Sequence, residues 1–218
     1  LGNHPAGETF TITLNAGQTY QVRSNLNSYF SGGRDLSGTR VTASDCKKIA
    51  IFNGNTLTCI PVNMGNGYDH IYEQAMPLRS WGKNFVVTSS SARNRDFVKI
   101  TSAFDNNVPR VFKRHATQVG IGRRADIQRM SLQIDHRPVI KIMRWCFLSA
   151  TQSCAVYLYN NSSYDQNPLG GLGDPSMVWI APVEQRINEV TFTTFNNSDI
   201  NINCHYVNII VNSEDINS

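Results

Sequence analysis

Short runs that alternate apolar and polar residues, each closed by a turn signal, recur along almost the whole chain. Phe10-Thr11-Ile12-Thr13-Leu14 alternates and is punctuated by Asn15-Ala16-Gly17; Tyr20-Gln21-Val22 then resumes. Lys48 to Phe52 ends at Asn53-Gly54-Asn55, a strong turn signal. Further runs are Phe85 to Val87, Phe97 to Ile100, Met130 to Ile134, Val139 to Met143, Ala155 to Tyr159, Met177 to Ile180, Val190 to Phe195 and Tyr206 to Val211. No sustained apolar pattern at helical spacing interrupts them. Strands this short and this dense predict an all-β chain of the sandwich or barrel-like kind.

The two halves also resemble each other. Asp69 to Val87 aligns with Asp174 to Phe192, so that Asp69 falls on Asp174 and Pro77 on Pro182. Ser44 to Phe52 parallels Ile134 to Ile142, and Phe97 to Ile100 parallels Tyr206 to Ile209. With no Pro-, Gly- or Ser-rich linker between them, the expected organisation is a single module, 1–218. It would hold two fused β-sandwich-like pseudo-repeats, about 9–96 and 97–203, and a closing strand at 204–212. That strand is expected to pair beside Thr9 to Leu14, covering an edge that would otherwise invite aggregation.

Charged residues make up 17% of the 218, below the roughly 25% usual for soluble domains. The net charge of +4 owes much to Arg110, Lys113, Arg114, Arg123, Arg124 and Arg129. Only Phe112 is interleaved among these charges, and no recognised motif holds them, so nucleic acid is not an expected partner. No run reaches the ~20 apolar residues that a membrane-crossing helix needs. The polar start at Leu1 lacks a secretory leader pattern, which suits a mature or excised form.

Five cysteines occur, at 46, 59, 146, 154 and 204, without zinc-site spacing. Cys146 and Cys154 bracket FLSATQS, read as a polar loop; a hairpin there would face the two thiols for bridging. Cys46 and Cys59, around another strand and turn, are the next candidate pair. Cys204 is left odd, and five reduced core thiols are the alternative. The sequons at Asn160, Asn161 and Asn196 favour, with the cysteines, a secreted glycoprotein.

Catalytic patterns fail in turn. GxSxG is absent, and none of the histidines sits in a triad context. Asp69, His70 and Glu73 come nearest to chemistry, as a hydrolase or lyase set. On a strand, however, Asp69 and Glu73 share one face and His70 the other. The structural reading is a carboxylate accepting backbone N–H bonds in a turn, with an imidazole packed under Trp81. Asp174, before Pro175, would start a turn in the same way. No cofactor is expected; calcium, which needs clustered oxygens, is the one alternative, with Asp105, Asp165 and Asp174 as contributors but no EF-hand or RTX spacing. Trp81 and Trp179 read as core. Candidate contacts to a protein or sugar are Arg34 and the aromatics Tyr157, Tyr159 and Tyr164, read as an exposed loop.

Three segments carry a family likeness. They are GGRDLSGTRVTAS with the following IAIFNGN (Gly32 to Asn55), YDHIYEQAMPLRSWGKNFVV (Tyr68 to Val87) and GDPSMVWIAPVEQRINEVTFTT (Gly173 to Thr194). In order and spacing they resemble the N-terminal domain of the IgG Fc-binding protein family. That family carries D-L-x-G-T, D-H-L-x-E-Q-x-P-P with W-G, and G-D-P-x-M with P-x-x-Q. The resemblance covers nearly the whole chain, with Arg110 to Gln128 aligning poorly. Relatives place a cysteine before the D-H pair where this chain has Tyr68, which leaves Cys46 as the substitute partner for Cys59. The likeness implies a non-catalytic, secreted or cell-surface adhesion or recognition module in mosaic proteins of mucus, adhesives or surface layers. Its partners would be extracellular proteins or glycans, or neighbouring copies and domains of the same protein. A structural spacer or polymer-forming unit is the rival reading.

Overall fold

In a computed structural model, the residues described are 3–25, 35–60, 67–89, 96–104, 107, 109–114, 127–131, 139–142, 145–162, 174–193 and 207–211. Contacts group the chain into two units, Leu1–Thr39 and Arg40–Ser218. The all-β expectation holds: the described residues contain strands and two short 3₁₀ turns, with no α-helix.

The larger unit is organised by one long strand. Strands β1 (Phe52–Thr58) and β2 (Asp69–Gln74) form an antiparallel pair of their own. The others, β3 (Gly82–Thr88), β4 (Asp96–Ser102), β5 (Pro109–Arg114), β6 (Ile127–Ser131), β7 (Val139–Ile142), β8 (Trp145–Asn160) and β9 (Ser176–Trp179), make a seven-stranded sheet. β8 runs 16 residues through its middle. Cys154 pairs with Gly82 of β3 on one side and Ser102 of β4 on the other. Hence β4 and β5 follow one edge of β8 in succession, and β9 and β3 follow the other.

Period-two alternation supplies the core. Phe85 and Val87, Val98 and Ile100, Cys146, Leu148 and Ala150, and Cys154, Val156 and Leu158 all fall on one face and are buried together. Each large apolar side chain so buried contributes about 1.5–3 kcal/mol. The segment read as a polar loop, FLSATQS, lies inside β8. Its polar Ser149, Thr151 and Ser153 alternate with the buried Leu148 and Ala150. Where β4 gives way to β5, the buried Asn107 fills the interruption. Its Nδ2 donates to Ser102 Oγ and the Gln152 carbonyl, and its Oδ1 accepts from Thr151 Oγ1 and the Gln152 N–H.

The turn signal Asn53-Gly54-Asn55 is likewise inside a strand, β1, paired with Glu73, Tyr72 and Ile71. A Cβ on Gly54 would collide with the Ile71 carbonyl oxygen, so the glycine permits close strand approach here and makes no turn. Neither Thr9 to Leu14 nor 207–211 forms a ladder, so the expected terminal strands are not strands among the described residues. In the smaller unit, DLSGT is a tight turn. Asp35 Oδ1 accepts from the Ser37 N–H and Oγ, and Gly38 holds φ +88°.

Of the internal parallels, one is matched by like structure. Pro77 (φ −63°, ψ 151°) precedes the 3₁₀ turn Leu78–Ser80, and Pro182 (φ −68°, ψ 158°) precedes the 3₁₀ turn Val183–Gln185. The two turns meet, with Gln185 Nε2 donating to the Ser80 carbonyl. The other parallels differ: residues 97–100 lie in β4 whereas 207–211 carry no ladder, and 139–142 form β7 whereas 44–51 form none.

Candidate functional site

The quoted motif residues work mainly as a brace. Glu184 Oε1 accepts hydrogen bonds from the backbone N–H of Lys83 and Asn84 and from Asn84 Nδ2, fixing the start of β3. Pro182 is buried against Gly82, where any Cβ would collide with its ring. Trp81 is half-buried and its Nε1 donates to the Met76 carbonyl. Tyr157 shares that neighbourhood: burial pushes its phenol up, the Met76 backbone hydrogen bond opposes this, and Glu73 adds to it. Cys154 is pushed up to about 12, first by burial and second by the Glu184 carboxylate, so its thiol stays protonated and inert.

The alternation of β2 decides the rest. Ile71 is buried, whereas His70 and Tyr72 project to the outer face. His70 therefore does not pack under Trp81; its side chain keeps 72% of its surface in solvent. Asp69 Oδ1 accepts from the His70 N–H at 2.7 Å and contacts His70 Nδ1 at 2.8 Å. These bonds, the backbone one foremost, hold the Asp69 carboxyl below its usual range. A ring held through Nδ1 presents Nε2 to solvent. Beside it Tyr72 stacks on Phe52 across the strand pair, with centroids 5.5 Å apart and planes within 4°. Both rings are largely exposed, and Tyr72 lies opposite Gly54, which has no side chain to cover it.

The hairpin is tied to the sheet through Ser162. Its N–H donates to the Ile60 carbonyl, its Oγ donates to the Gly67 carbonyl, and that same Oγ accepts from the Ile60 N–H. This corrects the sequon reading. Asn161 and Ser162 are buried, so the folded chain has no room for a glycan on Asn161, while Asn160 is half-buried with its amide oxygen enclosed. Tyr157 and Tyr159 are half-buried residues of β8, not members of an exposed loop. Cys146 and Cys154 are also on β8, eight residues apart along one strand and so about 26 Å from each other, which rules out the hairpin bridge. No disulfide joins Cys46, Cys59, Cys146 and Cys154 to one another; Cys46 is exposed and the others are buried. Asp174 stands exposed just ahead of β9, and Trp179 is half-buried on it. Arg34, Tyr164, Asn196, Cys204, Asp105 and Asp165 lie outside the described residues.

Phe52, Gly54 and Tyr72 escaped the sequence reading because their juxtaposition depends on the β1–β2 register, which no local pattern encodes. An aromatic two residues beyond an outward histidine was the available signal. Among the described residues no three His, Cys, Asp or Glu side chains converge as a metal-binding set, and no helix is long and apolar enough to cross a membrane.

Fold and site together define an all-β module in which the distinctive motif residues hold the frame and an aromatic hairpin face is left open. The chain belongs to the IgGFc-binding protein family: the family model described as IgGFc binding protein matches residues 1–218. The human protein named IgGFc-binding protein is 29% identical over 97 residues, which is 42% of this chain and 1% of that much longer relative. No solved structure matches the chain.

Proposed function

We propose that the chain is a non-catalytic extracellular recognition module, one part of a larger secreted or surface mosaic protein. In this reading the outer face of the β1–β2 hairpin makes the contact and the family motifs serve as scaffold. The observation that carries it is the exposed, parallel Phe52–Tyr72 pair beside an imidazole oriented by Asp69. Exposed stacked rings leave apolar surface in water that a partner would cover. Family membership supports recognition as the role, and the human relative's name points to IgG Fc as the first partner to try. His70 is exposed and pairs with Asp69, and Glu73 lies on the opposite face of β2 from His70, which gives a hydrolytic reading no enclosed site.

The test is to immobilise the chain and pass IgG Fc and a purified secreted mucin over it, beside a Tyr72→Ala variant. Saturable binding by the parent chain, lost in the variant, is the expected result. A parent chain that retains neither would leave the spacer reading in its place.

A further inference from the structure

We infer that the Phe52–Tyr72 face is a stacking platform for a neutral saccharide. This rests on the recognition reading above and names the ligand class of that same face. The first ground is size. Rings 52% and 65% exposed offer together roughly 200–250 Å² of apolar surface. A stable protein interface takes about 800 Å² from each partner. The patch is too small to anchor a protein by itself and is of the size that one or two sugar rings cover. The second ground is shape: Phe52 supports Tyr72 in a parallel stack, and with only Gly54 opposite it the Tyr72 ring, 65% exposed, offers solvent a flat aromatic surface and no concavity. The apolar C–H face of a pyranose lies flat on such rings, whereas a protein anchor residue wants a concavity.

The third ground is the polar rim. Gln74, exposed and the direct ladder partner of Phe52, brings an amide with two donors and an acceptor to one margin. His70 brings Nε2 to the other, its ring held through Nδ1 by Asp69. The Asp69–His70 pair carries no surplus positive charge to attract a sulfated or phosphorylated ligand. Planar hydrogen-bonding groups beside an apolar ring match the hydroxyl rim of an uncharged sugar. Gly54, opposite Tyr72, keeps the approach to the ring clear.

The experiment is an NMR titration of the chain with lactose and, separately, N,N′-diacetylchitobiose, observing aromatic ring resonances. Saturable shifts of the Tyr72 and Phe52 rings with a Kd of about 1 mM are expected. Tyr72→Phe should keep the affinity, and Phe52→Leu should weaken it at least about fivefold while keeping an apolar side chain over the hairpin. Gln74→Ala, an exposed change that leaves the rings alone, should weaken it as well. Dispersed amide spectra of each variant check that the fold is intact. Ring resonances that stay put with both sugars, or shifts that persist unchanged in Phe52→Leu, overturn the inference. If the sugars are silent while Fc or mucin still binds through Tyr72 after enzymatic deglycosylation, recognition stands and the ligand is protein. If the sugars and both macromolecules are silent, the recognition reading falls too.

Discussion

At the scale of single residues, buried polar atoms decide more than the motif letters do. Asn107 answers four groups at the break between β4 and β5, a role that its surrounding sequence, Asp105-Asn106-Asn107, does not distinguish from a surface loop. Asn107→Ala withdraws those bonds from a closed site and is expected to cost about 2–3 kcal/mol, read by urea unfolding. Asn107→Asp should cost a similar amount, because it replaces the donating amide with an acceptor facing the Gln152 carbonyl. Cys154 was expected in a disulfide, and its burial instead makes it a pH-sensitive element. Its folded pKa, about 12, lies above the ordinary 9.0, so folding favours the neutral thiol. The contribution is complete below pH 9.0 and is lost as pH climbs towards about 12, where the folded thiol also ionises. Tyr157 shifts in the same sense and is common to parent and variant. The stability advantage of the parent over Cys154→Ala should therefore shrink as unfolding is measured at rising alkaline pH; a constant gap would contradict it.

At the scale of elements, alternation was legible and register was not. Phe85 and Val87, Val98 and Ile100, and Val156 and Leu158 could be placed on one face from period two alone, because their strands are buried on that side. Ser149, Thr151 and Ser153 make the sequence of β8 read as two runs with a loop between them. They alternate with an inner half, Leu148, Ala150 and Cys154, that is broken only at the half-buried Gln152. Asn53-Gly54-Asn55 failed for the opposite reason: a glycine that signals a turn by type is required here by a neighbour, the Ile71 carbonyl, distant in sequence. Gly54→Ala should force β1 and β2 apart and cost at least about 2 kcal/mol by thermal or urea unfolding. It should also abolish the upfield ring shifts that stacking imposes on Tyr72 and Phe52. The repeated Pro–3₁₀ elements show what a faint internal likeness meant in structure. Two turns of the same shape, each preceded by a strand (β2 and β9), meet through Gln185 and Ser80, while the segments paired at 44–52 and 97–100 fold differently from their counterparts among the described residues.

At the scale of the whole molecule, family membership was legible because three motifs keep their order, and the candidate contact surface was not, because motif residues hold the frame. Asp35 closes a turn, Trp81 and Pro182 pack, and Gln185 ties the two 3₁₀ turns together, so the letters most specific to the family report on folding. In the proposed recognition reading, contact then falls to positions such as Tyr72, whose exposure beside Phe52 appears only once two strands are in register. The same frame sets the behaviour of the thiols. Cys46 is exposed, whereas Cys146 and Cys154 sit among the core side chains of the central strand, where no local opening short of sheet separation would reach them. In reduced chain, a maleimide should modify Cys46 within the mixing time under native conditions. Cys146 and Cys154 should react only at the rate set by opening of the sheet, and mass spectrometry of peptides would separate the sites. Because both lie on the strand that four others pair with, their protection factors should agree with each other and with the global unfolding free energy from urea. A Cys154 labelled much faster than Cys146 would mean that the β9–β3 edge braced by Glu184 opens independently of the rest, and that the brace is not part of the cooperative core.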